Sequence, residues 1–257
     1  MQLTILGMWA VATAGETSSF LLRDDEFSLL IDAGMNPAFT LTRAGVRLVD
    51  VSHVLLSHCH ADHLSGFASV VFSRQVQERR FGPAKPLQVI GTKETLAAGR
   101  GLLSLMYPDR SFSVDWREVT GSDSIVVGQS KWRFQETDHT VPGLSMRVER
   151  SSGSIFVYTS DTSLTANLSK FSMDADVLLC ECFGTVEDFG PILAQQKHLS
   201  AEDAATLASK ARAKNVVLFH MHEPYKNPAK RDALISIVKK GYSGRVIFPT
   251  EGEVVEV

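Results

Sequence analysis

Three histidines and an aspartate fall within six positions: His58, His60, Asp62 and His63, in the run Ser57-His58-Cys59-His60-Ala61-Asp62-His63. Imidazole nitrogen and carboxylate oxygen are the donors that a borderline cation such as zinc takes. The spacing has a mechanical meaning. Alternate residues of an extended segment point the same way, so His58 and His60 can share one ion. Asp62 and His63 lie where the chain is predicted to turn into a helix, and can face a second ion. The bland alternative is a polar loop with incidental histidines. It fits poorly with three histidines and an aspartate directly after the apolar run 51–56.

A site with two metals needs more donors than these four. His139 follows a predicted strand at 132–136, Asp161 one at 155–159 and His220 one at 216–219. Loops on a rigid scaffold are where sites collect their residues. Each alone reads as a surface histidine or a turn aspartate, and their repetition lifts them. His198 stands just before Ser200, a good N-cap, and could project into a cleft from a rigid start. His222, two residues past His220, competes for the same role, and His53 has no partner in view. Asp32 ends a strand and is read as orienting a ligand histidine. Alternation turns Cys59 away from His58 and His60, towards a buried place. Cys180 and Cys182 share a strand face opposite Glu181 and read as core.

The elements that must position these groups alternate along the chain. Short strands are predicted at 3–6, Ser19–Arg23, 28–32, 51–56 and 87–90, with helices at 63–80 and 92–105. A β-meander is predicted over 115–148. Strands at 155–159, 177–182, 216–219 and 246–248 follow, with a helix after Ser200 and another over 228–240. No linker or repeat divides the 257 residues, so one domain over 1–257 is expected, made of two β-rich halves face to face with helices outside. Apolar residues at 44% and charged residues at 21% exclude a disordered chain. Three cysteines, odd in number and without a C-x-x-C pair, argue for a reducing cytoplasm. There is no signal-peptide pattern and no apolar run of about 18 residues, so no membrane span is expected.

The series His58-x-His60-x-Asp62-His63, His139, Asp161 and His220 resembles the metallo-β-lactamase superfamily, over nearly the whole chain. Finer features resemble its ribonuclease Z-like phosphodiesterase branch. They are Ser18-Ser19-Phe20-Leu21, Leu30-Ile31-Asp32-Ala33-Gly34, His139-Thr140-Val141-Pro142-Gly143, Ser160-Asp161-Thr162 and His198-Leu199-Ser200. The resemblance implies an α/β fold, a four-layer αβ/βα sandwich. It also implies two divalent metal ions, with His58, His60 and His139 on one, Asp62, His63 and His220 on the other, and Asp161 bridging them. An anionic bridge relieves the repulsion between neighbouring cations, and a hydroxide held between them would be nucleophilic near neutral pH. The branch further implies that His198 assists the leaving group and that Glu181 orients it. Catalysis would thus involve Asp62, His198 and Glu181. Phe183 stands where that branch tends to carry threonine. The stretch between His63 and His139 holds no Gly- and basic-rich insertion like the tRNA-gripping arm of many ribonuclease Z enzymes.

The expected activity is hydrolysis of a phosphodiester. The same hydroxide can attack a carbonyl, so a thioesterase or lactonase stays open, as does a non-catalytic metal scaffold. Zinc suits the histidines, while manganese or iron also suits an Asp/His site. The formal net charge of −3 hides an asymmetry. Residues 210–245 carry nine basic groups against Glu223 and Asp232, which keeps a nucleic-acid partner open. The resemblance also implies a homodimer.

Overall fold

The computed structural model describes residues 1–257. The chain opens with β1 (Gln2–Gly7), β2 (Ser19–Arg23), β3 (Ser28–Ile31) and helix α1 (Pro37–Arg43). It continues with β4 (His53–Leu55), the one-turn α2 (Ala61–Leu64), α3 (Phe67–Phe81), β5 (Leu87–Gly91), α4 (Lys93–Met106) and β6 (Val114–Glu118). Next come β7 (Ser124–Val127), β8 (Ser130–Glu136), β9 (Leu144–Arg150), β10 (Ile155–Tyr158), α5 (Ala166–Phe171), β11 (Val177–Glu181) and α6 (Val186–Gln196). The last elements are α7 (Ala201–Lys210), β12 (Asn215–Phe219), α8 (Pro228–Gly241), β13 (Arg245–Ile247) and β14 (Val254–Glu256). No helix is long and apolar enough to cross a membrane.

The chain forms two compact units. One comprises Met1–Met8, Gly15–Val119 and Thr250–Glu256. Its seven-stranded sheet runs β14-β1-β2-β3-β4-β5-β6. The first three strands are antiparallel, and β3 to β6 are parallel. Leu30, Val54 and Val89 from three parallel neighbours join Phe67 and Val70 of α3 in its core. Burying each such side chain contributes roughly 1.5–3 kcal/mol.

The other unit comprises Trp9–Ala14 and Thr120–Pro249, with Val257. Its sheet runs β13-β12-β11-β10-β9-β8-β7. Here β7 to β10 form an antiparallel meander and β10 to β13 are parallel. Trp132, Phe156, Leu178 and Val217 are fully buried in it. Both sheets thus pass from an antiparallel meander into parallel strands. The carboxyl ends of parallel strands are where open α/β sheets gather functional residues.

Three sequence expectations need correcting. The helix expected over 63–80 is two helices, α2 and α3. A Cβ at Gly66 would lie 2.2 Å from the Gly34 oxygen, so the chain is pressed onto 33–34 there and turns rather than running straight. The segment around Asp115 is not part of the meander, because β6 pairs parallel with β5 in the first sheet. Finally, α1, α5, α6 and β14 lie where no element was expected.

Candidate metal centre

In the first unit the histidine run leaves β4 and enters α2. Asp32, the residue after β3, is fully buried and has φ of 57°. Its carboxylate accepts from the Ser57 amide at 2.7 Å, from Ser57 Oγ at 2.7 Å and from His63 Nδ1 at 2.7 Å. These bonds assign the histidine tautomers. Ser57 spends its one hydroxyl proton on Asp32, so it must accept from His58 Nδ1, 3.0 Å away. His58 and His63 therefore both carry the proton on Nδ1 and keep a lone pair on Nε2. His58 Nε2 lies 3.2 Å from His60 Nδ1. Two nitrogens bound tetrahedrally at about 2.0–2.1 Å from zinc would stand about 3.3 Å apart, so this pair fits one cation. Asp62 and His63 are buried in the first turn of α2.

The Asp32 contacts carry a prediction. Replacing Asp32 by Asn removes the charge that fixes His63 and leaves an amide facing donors. Metal affinity, measured by competition with a chelator, is expected to fall about 10–100-fold with the fold retained.

In the second unit the predicted residues sit at strand ends. His139 follows β8, Asp161 follows β10, Glu181 ends β11 and His220 directly follows β12. His139 Nδ1 donates to the Lys197 carbonyl at 3.3 Å, which places the ring proton on Nδ1. Burial pushes the His139 pKa down, favouring the neutral ring that a metal requires. Asp161 Oδ2 lies 3.2 Å from His220 Nε2 and 3.8 Å from His198 Nδ1. Asp161, Glu181, His198 and His220 offer ligand atoms that all lie within 4.8 Å of one another.

Within that group Glu181 is already committed. Its Oε1 accepts from His198 Nδ1 in a short hydrogen bond. Its Oε2 accepts from the amides of Thr162 at 2.9 Å and Leu199 at 3.2 Å. A fully buried carboxylate engaged in this way orients His198 better than it binds an ion. Glu181 and His198 therefore meet, and Phe183 joins them. Its ring stacks on His198 with centroids 4.4 Å apart and planes at 24°.

His222 packs against Phe183, with centroids 4.0 Å apart, while His220 is the buried residue at the strand end. His53 bonds Ser52 Oγ at 2.8 Å, and burial lowers its pKa to about 4, so it is a neutral structural histidine. Cys59 is half-buried against the first unit's core rather than fully buried. Cys180 and Cys182 are fully buried, and burial raises both thiol pKa values. Several basic groups of 210–245 have partners: Arg212 pairs with Asp174, Lys214 with Asp176 and Lys230 with Asp188, and Lys226 lies over Trp9. Sequence reading passed over Ser57 and Lys197. Ser57 adjoins His58, which was signal enough. Lys197 acts through its backbone carbonyl, which leaves no trace in residue type.

The chain is similar to several known proteins. The family model for anti-Pycsar protein Apyc1 matches residues 1–243. The probable metallo-hydrolase YhfI of Bacillus subtilis (strain 168) is 25% identical over 251 residues, covering 94% of this chain and 98% of that protein. Ribonuclease Z of Mycobacterium sp. (strain KMS) is 29% identical over 232 residues, 80% of this chain and 78% of its own. The cGMP-dependent 3',5'-cGMP phosphodiesterase A of Dictyostelium discoideum is 29% identical over 154 residues, 60% of this chain and 17% of that one. Among solved structures, that of the metallo-β-lactamase fold protein YhfI superposes with a TM-score of 0.85 at 24% identity, covering 99% of this chain and 98% of that one. Human tRNase Z, short form, superposes with 0.80 at 18% identity, covering 100% and 99%. The fold is that of the metallo-β-lactamases.

Proposed function

This chain belongs to the anti-Pycsar protein Apyc1 family, and from that premise we propose that it is a metal-dependent phosphodiesterase. Two divalent cations are its cofactors, with zinc best suited to the donor set and manganese or iron as alternatives. His58, His60 and His139 would hold one. Asp62, His63 and His220 would hold the other, and Asp161 would serve both. Bound there, the ions would lower the pKa of a water towards neutrality and polarise the phosphoryl oxygens.

The chain's own residues do the rest. Asp32 and Ser57 hold His63 and His58 by Nδ1, so Nε2 would be the metal-binding atom of each. Glu181 accepts the Nδ1 proton of His198 and fixes the orientation of its ring. The remaining Nε2 proton then serves the leaving oxygen. This hydrogen-bonded Glu181–His198 pair carries the phosphodiester reading, because an alkoxide leaving from phosphorus needs a proton donor. The ionic partners within the basic stretch and the lack of an arm between His63 and His139 favour a small phosphodiester over a folded RNA. A cyclic nucleotide is the substrate carried in the name of the Dictyostelium relative.

The test is direct. Purified, metal-analysed protein is expected to contain about two transition metals per chain. It is expected to cleave bis(p-nitrophenyl) phosphate and 3',5'-cyclic nucleotides faster than precursor tRNA. Metal-loaded protein inactive on every phosphodiester would sink the proposal.

A further inference from the structure

We propose that Phe183 is a positioning residue for His198, fixing the plane of the imidazole whose edge Glu181 holds. The inference rests on the phosphodiesterase reading, in which His198 supplies the leaving-group proton.

The placement follows from the strand. Glu181 is the last residue of β11, and extended alternation brings Phe183 to the same side two residues later, while Cys182 turns into the core. The segment is tied down from both flanks. The Cys182 amide donates to the Phe219 carbonyl at 2.8 Å, and the Phe183 amide to the Leu199 carbonyl at 3.0 Å. Gly184 pairs with Ser200 as an isolated parallel bridge. A Cβ at Gly184 would lie 2.4 Å from the Phe189 ring, so Phe189 closes over this turn. The Phe183 side chain is only 7% exposed, too buried to serve as a stacking platform for substrate. Its ring instead faces protein rings: His198 at 4.4 Å, His222 at 4.0 Å, Phe189 at 5.4 Å and His220 at 5.9 Å.

One hydrogen bond to Nδ1 fixes an edge of an imidazole but leaves the ring free to swing about that bond. A near-parallel aromatic face removes the second freedom. His198 needs this support, because it follows α6, a helix with one buried residue, Leu193. A proton donor swung off line loses much of its effect.

The test compares Phe183→Leu, which keeps apolar bulk without a planar face, with Phe183→Tyr, which restores the ring. The substrates are methyl aryl phosphodiesters with p-nitrophenol or unsubstituted phenol as leaving group. Nitrophenolate departs without a proton, whereas phenolate gains from one. In Phe183→Leu we expect kcat for the phenyl ester to fall about 10–100-fold, part of the 10²–10⁴ that a general acid supplies. KM and metal content should hold, the p-nitrophenyl ester should stay within about threefold, and Phe183→Tyr should restore the phenyl ester. Equal losses on both esters, or none on either, would overturn the assignment. NMR of histidine-labelled protein gives a readout free of turnover. The His198 ring signals should be sharp and ring-current shifted in the wild type and in Phe183→Tyr, and broadened or shifted towards free histidine in Phe183→Leu. Unchanged His198 signals in Phe183→Leu would overturn it too. Wild-type protein inactive on every phosphodiester would overturn the function proposed above, and the NMR comparison alone would then decide whether Phe183 holds His198.

Discussion

Asp161→Ala is expected to remove bound metal and hydrolysis together. Asp161 is 1% exposed, in the segment that follows β10, with Oδ2 3.2 Å from His220 Nε2. In the proposed centre it is the only donor shared by both cations, so its loss removes a ligand from each and the anion that offsets their repulsion. Changing a residue that merely orients a ligand costs about 10–100-fold, so loss of the shared ligand should exceed that, at about 10³-fold or more in kcat/KM. Asp161→Asn, which keeps the shape and discards the charge, should behave like Asp161→Ala. Metal analysis beside steady-state kinetics checks both. Full metal content with full activity in Asp161→Asn would remove the aspartate from the centre.

His198→Ala separates the phosphodiester reading from an acyl one. His198 is half-buried, and its Nδ1 is spent on Glu181. Truncation leaves the proposed ligands in place, so metal content should not change. Loss of a general acid lowers rates by about 10²–10⁴, and that loss should fall on phosphodiesters with alkoxide leaving groups. A thioester or lactone, opened without need of this donor, should lose little. A variant that cleaves alkyl phosphodiesters at the wild-type rate would strip His198 of its role. A protein that hydrolyses only acyl compounds, indifferent to His198, would be a thioesterase or lactonase instead.

The site was more legible in the sequence than the elements around it, for a physical reason. Ligand chemistry demands particular side chains, and His58, His60, Asp62 and His63 announce themselves by type and spacing. Elements read well where burial imposed a period. β2, Ser19–Arg23, buries Phe20, Leu21 and Leu22 and lies where it was expected. The Ser200–Asp203 capping box at the start of α7 is likewise present in full. Reading failed where the cause was non-local. Nothing in Val114–Glu118 says that β6 pairs parallel with β5 rather than opening a meander. The split between α2 and α3 comes from the approach of Gly66 to Gly34, two segments distant in sequence. Helix α6 escaped notice because it carries Pro191 in its interior and buries only Leu193. Phe183 was visible as an unusual neighbour of Glu181, but its contact with His198 depends on the Leu199 and Phe219 segments that flank it.

The backbone at these residues has a consequence for anyone who tries to harden the protein. Asp32, Ser160, Lys197 and His220 all have positive φ, between 56° and 68°, and none is glycine. Each is one of the proposed site residues or its immediate neighbour. Side chains in that region cost about 1–2 kcal/mol against the right-handed alternative. A directed-evolution screen for heat resistance would therefore find glycine at Lys197 or Ser160 attractive. The same change would slacken the shoulder on which His198 or Asp161 rests. Selection for thermal endurance and selection for turnover should thus pull these positions in opposite directions, and a screen that measures only the first would select for a sturdier but idle protein.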